Sequence, residues 1–212
     1  LPIAVHAAES EAELRLVSEG TGEFADALRA RGIAVARRGT STIALLEKVG
    51  VLRAKPLLIH CVRAAHDDIK RIADHGCSVA HCPVSNAKLG HGIADLEGLL
   101  QAGVKVGVGS DSVASNNRMD MLEEARIALL FGRAIRREWN ASPARLGLEL
   151  ATVRGAAALG LDHEIGTLDV GKQADLAAFP LDALHAQPVQ DPESALIFAT
   201  SGRGARLVTV AG

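Results

Sequence analysis

The sequence predicts an α/β protein built on a parallel barrel, with a smaller β element at its C-terminal end. Four short runs, Ile3–Val5, Leu57–Ile59, Ser78–Ala80 and Val104–Ser110, end on a residue able to bind a metal: His6, His60, His81 and Asp111. Each run is followed by a loop or a helix-like segment, and a parallel barrel presents its chemistry at the C-terminal ends of its strands. After about residue 164 this alternation gives way to turn residues and short apolar stretches.

The elements follow in order. Ile3–His6 is the first expected strand. Ser10, with Glu13 three residues on, forms a capping box, so a helix should begin here and end near Gly20. A second helix is expected from about Glu23 to Arg31, stopped by Gly32. Residues 33–56 read as a connection with one helical piece near Thr42–Val49. Leu57–His60 is apolar up to its last residue, as expected of a strand covered on both faces. Ile69, Ile72 and Ala73 recur at helical spacing, and Gly76 supplies the stop. Ser78–His81 is the next strand, and the polar, glycine-bearing stretch Val84–Gly92 reads as a loop. A helix over Ile93–Ala102 ends at Gly103, before strand Val104–Val108. A long helix is expected over Met119–Glu138. Its Met121, Leu122, Ala125, Ala128 and Leu129 share one face. Glu123 and Glu124 open it, and Arg133, Arg136 and Arg137 close it, as the helix dipole favours. One or two further helices fill 143–160. Gly166–Lys172 reads as the start of a hairpin, and Asp175–Phe179 and Leu207–Val210 as strands with no helix between them. The expected division is a barrel over 1–163 and a small β domain over 164–212.

The chain has 212 residues, 48% of them hydrophobic, so a sizeable core can form. The net charge is -2 with no long charge run, which argues against nucleic acid or a membrane surface as a partner. No apolar stretch approaches the roughly 20 residues of a bilayer span. The first residues lack the basic region and cleavage site of a signal peptide, and no Met stands at the start, so residues are expected before Leu1. Three cysteines, Cys61, Cys77 and Cys82, form no framework of pairs, and a reducing cytoplasm is expected. Cys61 and Cys82 each follow a strand-end His and read as small apolar residues rather than nucleophiles.

His6 and Glu9 form a His-x-x-Glu at the end of the first strand. A carboxylate there can take a proton from a metal-activated water and hand it to a leaving group. Imidazole nitrogen and carboxylate oxygen suit zinc or ferrous iron. His60 ends the purest apolar run, where the alternative is a satisfied core histidine. His81, in Ala-His-Cys-Pro-Val-Ser-Asn, serves either the site or its loop. Asp111 follows the last strand, where the alternative is a helix cap. His66, His75, His91, His163 and His185 fall in helical, loop or tail positions and read as surface or structural residues, and Lys172 as a solvated turn residue.

Together these segments resemble the amidohydrolase superfamily, in particular its aminohydrolase and chlorohydrolase branch, which includes S-adenosylhomocysteine/methylthioadenosine deaminases, guanine deaminases and s-triazine hydrolases. The resemblance runs through His-Ala-Ala-Glu at 6–9, Leu-Ile-His-Cys at 58–61, the highly specific His-Cys-Pro-Val-Ser-Asn-Ala-Lys-Leu-Gly-His-Gly at 81–92, and Gly-Ser-Asp-Ser-Val-Ala-Ser-Asn-Asn at 109–117. It continues through Ala-Thr-Val-Arg-Gly-Ala-Ala-Ala-Leu-Gly-Leu and Ile-Gly-Thr-Leu-Asp-Val-Gly-Lys-Gln-Ala-Asp-Leu. One departure is large: the family's first-strand His-x-His pair occurs nowhere in this chain.

The resemblance therefore implies the C-terminal half of a (β/α)8 TIM-type barrel, strands five to eight, followed by part of a small β-sandwich. It implies one divalent metal, zinc or alternatively iron, held in the full-length protein by His6, Asp111 and the missing pair. It implies catalytic roles for Glu9, His60 and Asp111, and substrate contacts from Glu9, His60, His81 and Ser115. The implied reaction is hydrolytic deamination of an adenine-type nucleoside or related amino-heterocycle. A chlorohydrolase or other hydrolase of the same superfamily is the runner-up, and a catalytically inactive fragment or binding module the third reading. The implied partner is a small heterocycle, and a homo-oligomer of the full-length protein stays open.

Overall fold

The computed structural model of the chain describes residues 3–212. At its centre lies a parallel sheet of four strands in sequence order: β1 (Ala4–Ala7), β2 (Leu57–His60), β3 (Ser78–His81) and β4 (Lys105–Val108). Between β1 and β2 run α1 (Glu11–Ser18), α2 (Glu23–Ala30) and α3 (Thr42–Lys48). Then α4 (His66–Asp74) leads to β3, and α5 (Pro83–Lys88) and α6 (Leu96–Gln101) lead to β4. After β4 come α7 (Val113–Asn116), α8 (Met121–Arg136), α9 (Ala144–Ala151) and α10 (Val153–Leu159). The tail holds β5 (Leu176–Ala178), α11 (Pro192–Ala199) and β6 (Leu207–Thr209), with β5 and β6 paired antiparallel. No helix among the described residues is long and apolar enough to cross a membrane.

Strand register decides which residues meet the helices. Val5, Leu58, Val79 and Val106 align across the sheet. The last three are fully buried with Ile43 of α3, Ile69 and Ile72 of α4, Leu99 of α6 and Leu150 of α9. The alternate row is His6, Ile59, Ala80 and Gly107. There His6 is exposed and Ile59 and Ala80 are only half-buried. The apolar run of β2 is thus covered fully on one face, not on both as its composition predicts. At the far edge, Gly107 allows close approach: a Cβ there would lie 2.7 Å from the Gly155 Cα of α10.

The structure differs from the sequence expectation in several places. Residues 83–88 form α5 where a loop is expected, because Pro83 presets the first helical turn and the polar Ser85 and Asn86 are buried with partners. Helix α6 starts at Leu96, not Ile93, since Asp95 accepts the Gly98 N–H at 2.8 Å and sets the cap. Asp120 likewise starts α8 at Met121. Gly166–Lys172 makes turns without a strand. Helix α11 lies between the two tail strands, where no helix is expected. Asp191 caps it, and Ile197 packs into a cluster with Leu122, Ala125, Leu129 and Ala144.

Candidate active site

The C-terminal ends of β1, β2 and β4 bring His6, His60 and Asp111 together, with ligand atoms all within 4.8 Å of one another. The backbone turns sharply where it delivers them. Ala8, His60, Cys61 and Asp111 have φ of 52°, 76°, 52° and 56°. A non-glycine residue is held there at a cost of order 1–2 kcal/mol, and such strain gathers at functional sites.

Asp111 is held from two sides. Its Oδ2 accepts hydroxyl hydrogen bonds from Ser85 of α5 at 2.7 Å and from Ser115 of α7 at 2.6 Å. Its Oδ1 stands 3.9 Å from His6 Nε2. Burial alone would push the Asp111 carboxyl up. The bonds from Ser115, Ser85 and the Ser112 backbone, together with His60, outweigh it and hold the group below its usual value. Ser115 is therefore a support of Asp111 in this geometry.

His60 is completely buried. Its Nδ1 lies 2.8 Å from the Asn86 side-chain oxygen, so with the amide placed this way Nδ1 carries the hydrogen. The Nε2 lone pair is then aimed into the site. That atom is buried without a hydrogen-bond partner, 3.6 Å from Glu9 Oε1 and 3.9 Å from Asp111 Oδ2. Glu9 is set by its own helix. The Glu13 carboxylate accepts the backbone N–H groups of Ala8 at 2.9 Å and Glu9 at 2.7 Å, so it reaches past Ser10 rather than closing the box on it.

His81 is buried too, but it is not drawn into this group. It lines a cavity of about 60 Å³ with Ile93, Ala94, Ala128 and Gly132, between α6 and α8. No hydrogen bond or ion pair joins it to His6, Glu9 or Asp111 among the described residues. Burial pushes its ring down to about 4, with His60 adding repulsion. The residue that sequence reading missed is His91, whose Nε2 stands 3.4 Å from Glu9 Oε1. It stands in a loop between Gly90 and Gly92, both of positive φ, and read alone it looks like a surface residue; its place in the specific stretch 81–92 was the signal that could have marked it. His66, His163 and His185 are exposed or partly so, away from the group, and His75 bonds back to the Arg71 carbonyl.

Behind the site, Glu124 of α8 is buried. Burial pushes its carboxyl up to about 7, against hydrogen bonds from Asn116 and the Val84 backbone that favour the charged form. The three cysteines are free and buried, and burial raises all three thiols, that of Cys82 to about 12. A nucleophilic thiolate has no support here.

His6 Nε2 and Asp111 Oδ1 are donors that fit a divalent ion of the zinc or iron kind, and the unpartnered His60 Nε2 faces the same space, all three ligand atoms lying within 4.8 Å of one another. In a tetrahedral site with bonds of about 2.0–2.2 Å, ligand atoms lie about 3.3–3.6 Å apart. The 3.9 Å between His6 Nε2 and Asp111 Oδ1 is close to that spacing.

The amidohydrolase family model matches residues 1–212. A 5-methylthioadenosine/S-adenosylhomocysteine deaminase of Moorella thermoacetica is 41% identical over 177 residues, covering 84% of this chain and 41% of that protein. An adenosine deaminase structure from Xanthomonas campestris with bound zinc superposes with a TM-score of 0.84 at 33% identity, over 100% of this chain and 44% of that one. An atrazine chlorohydrolase structure from Arthrobacter aurescens TC1, complexed with zinc, has a TM-score of 0.80 at 28% identity, over 100% and 43%. The chain thus spans less than half the length of the relatives it matches.

Proposed function

This chain belongs to the amidohydrolase family, and from that premise we propose that it forms the C-terminal half of a metal-dependent hydrolytic deaminase acting on an adenine-type nucleoside or related amino-heterocycle. In this reading β1 to β4 are strands five to eight of a (β/α)8 barrel, residues 1–163 belong to the barrel, and 164–212 to part of a β-sandwich. The observation that carries the reading is the convergence of His6, Glu9, His60 and Asp111 at one end of a parallel sheet. The names of the similar deaminases support the reaction type, and the two zinc-bound neighbours support zinc, with iron as the alternative. The three buried free thiols are in keeping with the cytoplasm.

His6 and Asp111 would hold the metal, completed by ligands from outside this chain. The ion would supply a water acidified toward neutral pH. Asp111, braced by Ser85 and Ser115, takes the first proton from the attacking water. His60 offers its Nε2 lone pair to the hydrogen left on the attacking oxygen and keeps that oxygen in line. Glu9 would relay the two protons of that water, one taken up through Asp111 and one from the hydroxyl as it becomes a carbonyl, to the ring nitrogen and to the departing amine, so a C–O bond forms, the C–N bond breaks and ammonia leaves. The same attack on a ring carbon bearing chlorine would release chloride, and the likeness to the atrazine chlorohydrolase is what favours that second reading.

Ammonia and chloride release by the full-length protein, across adenosine, its thioether derivatives, guanine and triazines, tests the assignment. Glu9→Gln keeps size and shape but removes the proton carrier, and turnover should fall roughly 10²–10⁴-fold with metal retained. Turnover near wild type in Glu9→Gln would move the proton transfer to another group.

A further inference from the structure

Glu124 lies outside the group at the strand ends, and the reaction proposed above gives it no task. Its side chain is 1% exposed, and its two oxygens reach in two directions. Oε2 accepts the backbone N–H of Val84 at 3.2 Å. Helix α5 begins there, and its N-cap residue, Cys82, offers no capping side chain. A carboxylate from a distant helix thus satisfies one of the N–H groups that a helix start leaves open. Oε1 accepts from Asn116 Nδ2 at 2.5 Å, and the same amide donates to the carbonyl of Ser110 at 2.6 Å. Ser110 immediately precedes Asp111. The two arms end on the two segments that hold the site: α5 carries Ser85 and Asn86, and the segment from Ser110 to Asn116 carries Asp111.

We infer that Glu124 is a positioning residue that locks α5 to the Asp111 segment and so sets the orientation of the Asp111 carboxylate and the His60 ring. The inference rests on the hydrolase reading for its consequence, but its geometry stands on contacts within the chain. Contact is continuous along both arms: Glu124 to Val84 beside Ser85 and Asn86, and Glu124 to Asn116 and Ser110 beside Asp111. Packing alone would not select a carboxyl here. Leu122 and Ala125, on the same turn of α8, are apolar and equally hidden, and a buried carboxyl is unfavourable unless its hydrogen bonds are needed. An apolar side chain fills space without direction, whereas two converging donors fix where both segments lie. Removing groups that orient metal ligands typically lowers metal affinity or activity 10–100-fold. Glu124 acts one contact further out, so the lower end, about tenfold, is expected.

Glu124→Gln keeps the volume but offers one acceptor where two donors converge, so either Val84 N–H or Asn116 Nδ2 meets an amide NH₂ group. In a crystal structure of the variant, the Ser85–Asp111 or the Asn86–His60 contact should lengthen beyond about 3.5 Å. Cobalt(II) titration of the full-length protein, followed by visible absorption, should show apparent affinity about tenfold weaker than wild type. Unchanged contacts, or cobalt affinity within about twofold of wild type, would overturn the proposal. Leu52→Ala, a core truncation beside Cys77 at the opposite ends of the strands, controls for loss of stability; if it weakens cobalt binding as much as Glu124→Gln, the effect is general and the proposal fails. If the full-length wild-type protein takes up no cobalt, the metal-hydrolase reading falls, while the crystallographic arm still decides the role of Glu124. Should Glu124→Gln not fold, Asn116→Ala cuts one arm only: a displaced Asp111 with α5 in place supports the inference, and an unmoved Asp111 refutes it.

Discussion

Three histidines end apolar strands in this chain, and they end up in three different environments. His6 is exposed at the rim, His60 is buried with one nitrogen bonded and the other free, and His81 is buried behind the sheet against α6 and α8. The last has a consequence for stability. In the unfolded chain an imidazole takes up its proton near pH 6.5, whereas the folded ring, pushed down to about 4 by burial and by His60, stays neutral. Between those limits the unfolded state binds more protons, so stability falls as pH falls and levels off below about 4. Glu124 acts with the opposite sign. Its raised value means that its contribution grows as pH falls from about 7 toward the ordinary carboxylate range, so the two partly cancel in wild type. His81→Gln should uncover the Glu124 term. Between pH 7 and pH 5, urea denaturation should show the variant gaining about 2 kcal/mol relative to wild type. Parallel pH dependence in the two proteins would mean that His81 is not a neutral buried ring.

At the scale of elements, side chains that begin helices do more than local capping. Asp120 accepts the N–H groups of Leu122 and Glu123 at the start of α8, and it also accepts Gly202 N–H at 2.9 Å, from 82 residues away. That last bond ties the tail to the helix carrying Glu124. Asp120→Ala removes the cap, worth about 1 kcal/mol, and strands a part-buried N–H, worth about 1–3 kcal/mol more. A total loss of about 2–4 kcal/mol is expected by chemical denaturation; a loss of only about 1 kcal/mol, that of the cap alone, would show that the tail contact contributes nothing. Glu13 is a second such case. The Ser10–Glu13 spacing was legible as a helix start, and α1 does start at Glu11 with Ser10 accepting the Glu13 N–H. Where the Glu13 carboxylate goes, onto Ala8 and Glu9, depends on the turn at Ala8, whose φ of 52° no spacing rule announces. Helix α5 was missed for a related reason. Its polar residues look like loop when read in sequence, because their partners, Asp111, His60 and Glu124, lie 26 to 40 residues away.

For the whole molecule, the order β1–β2–β3–β4 leaves β1 and β4 paired on one side only within this sheet. The row of His6, Ile59 and Ala80 is not fully covered. Open parallel edges beside an uncovered apolar face invite pairing with another chain. The isolated 212-residue protein should therefore elute from size-exclusion chromatography as dimers or larger species and release no ammonia from adenine-type substrates. A monomer with robust turnover would refute both the open-edge argument and the need for ligands from outside the chain.

The sequence by itself determined the order of the four parallel strands and most of the helices around them, the family, and the strand ends at which His6, His60 and Asp111 stand. These are local properties: apolar runs, caps, glycine stops and short motifs are complete within a dozen residues. Only the tertiary structure decided which polar groups face one another. The pleat alone would put His60 and His81 on the face of Leu58 and Val79. The positive φ at His60 and Cys61 ends the extended backbone there, and His60 meets Glu9 and Asp111 while His81 stays behind the sheet. The same holds for His91, set beside Glu9 by a glycine-flanked loop, and for Glu124, whose partners come from two other elements. Side-chain direction at a strand end depends on one or two backbone angles and on long-range hydrogen bonds, and neither is written in the spacing of residues along the chain.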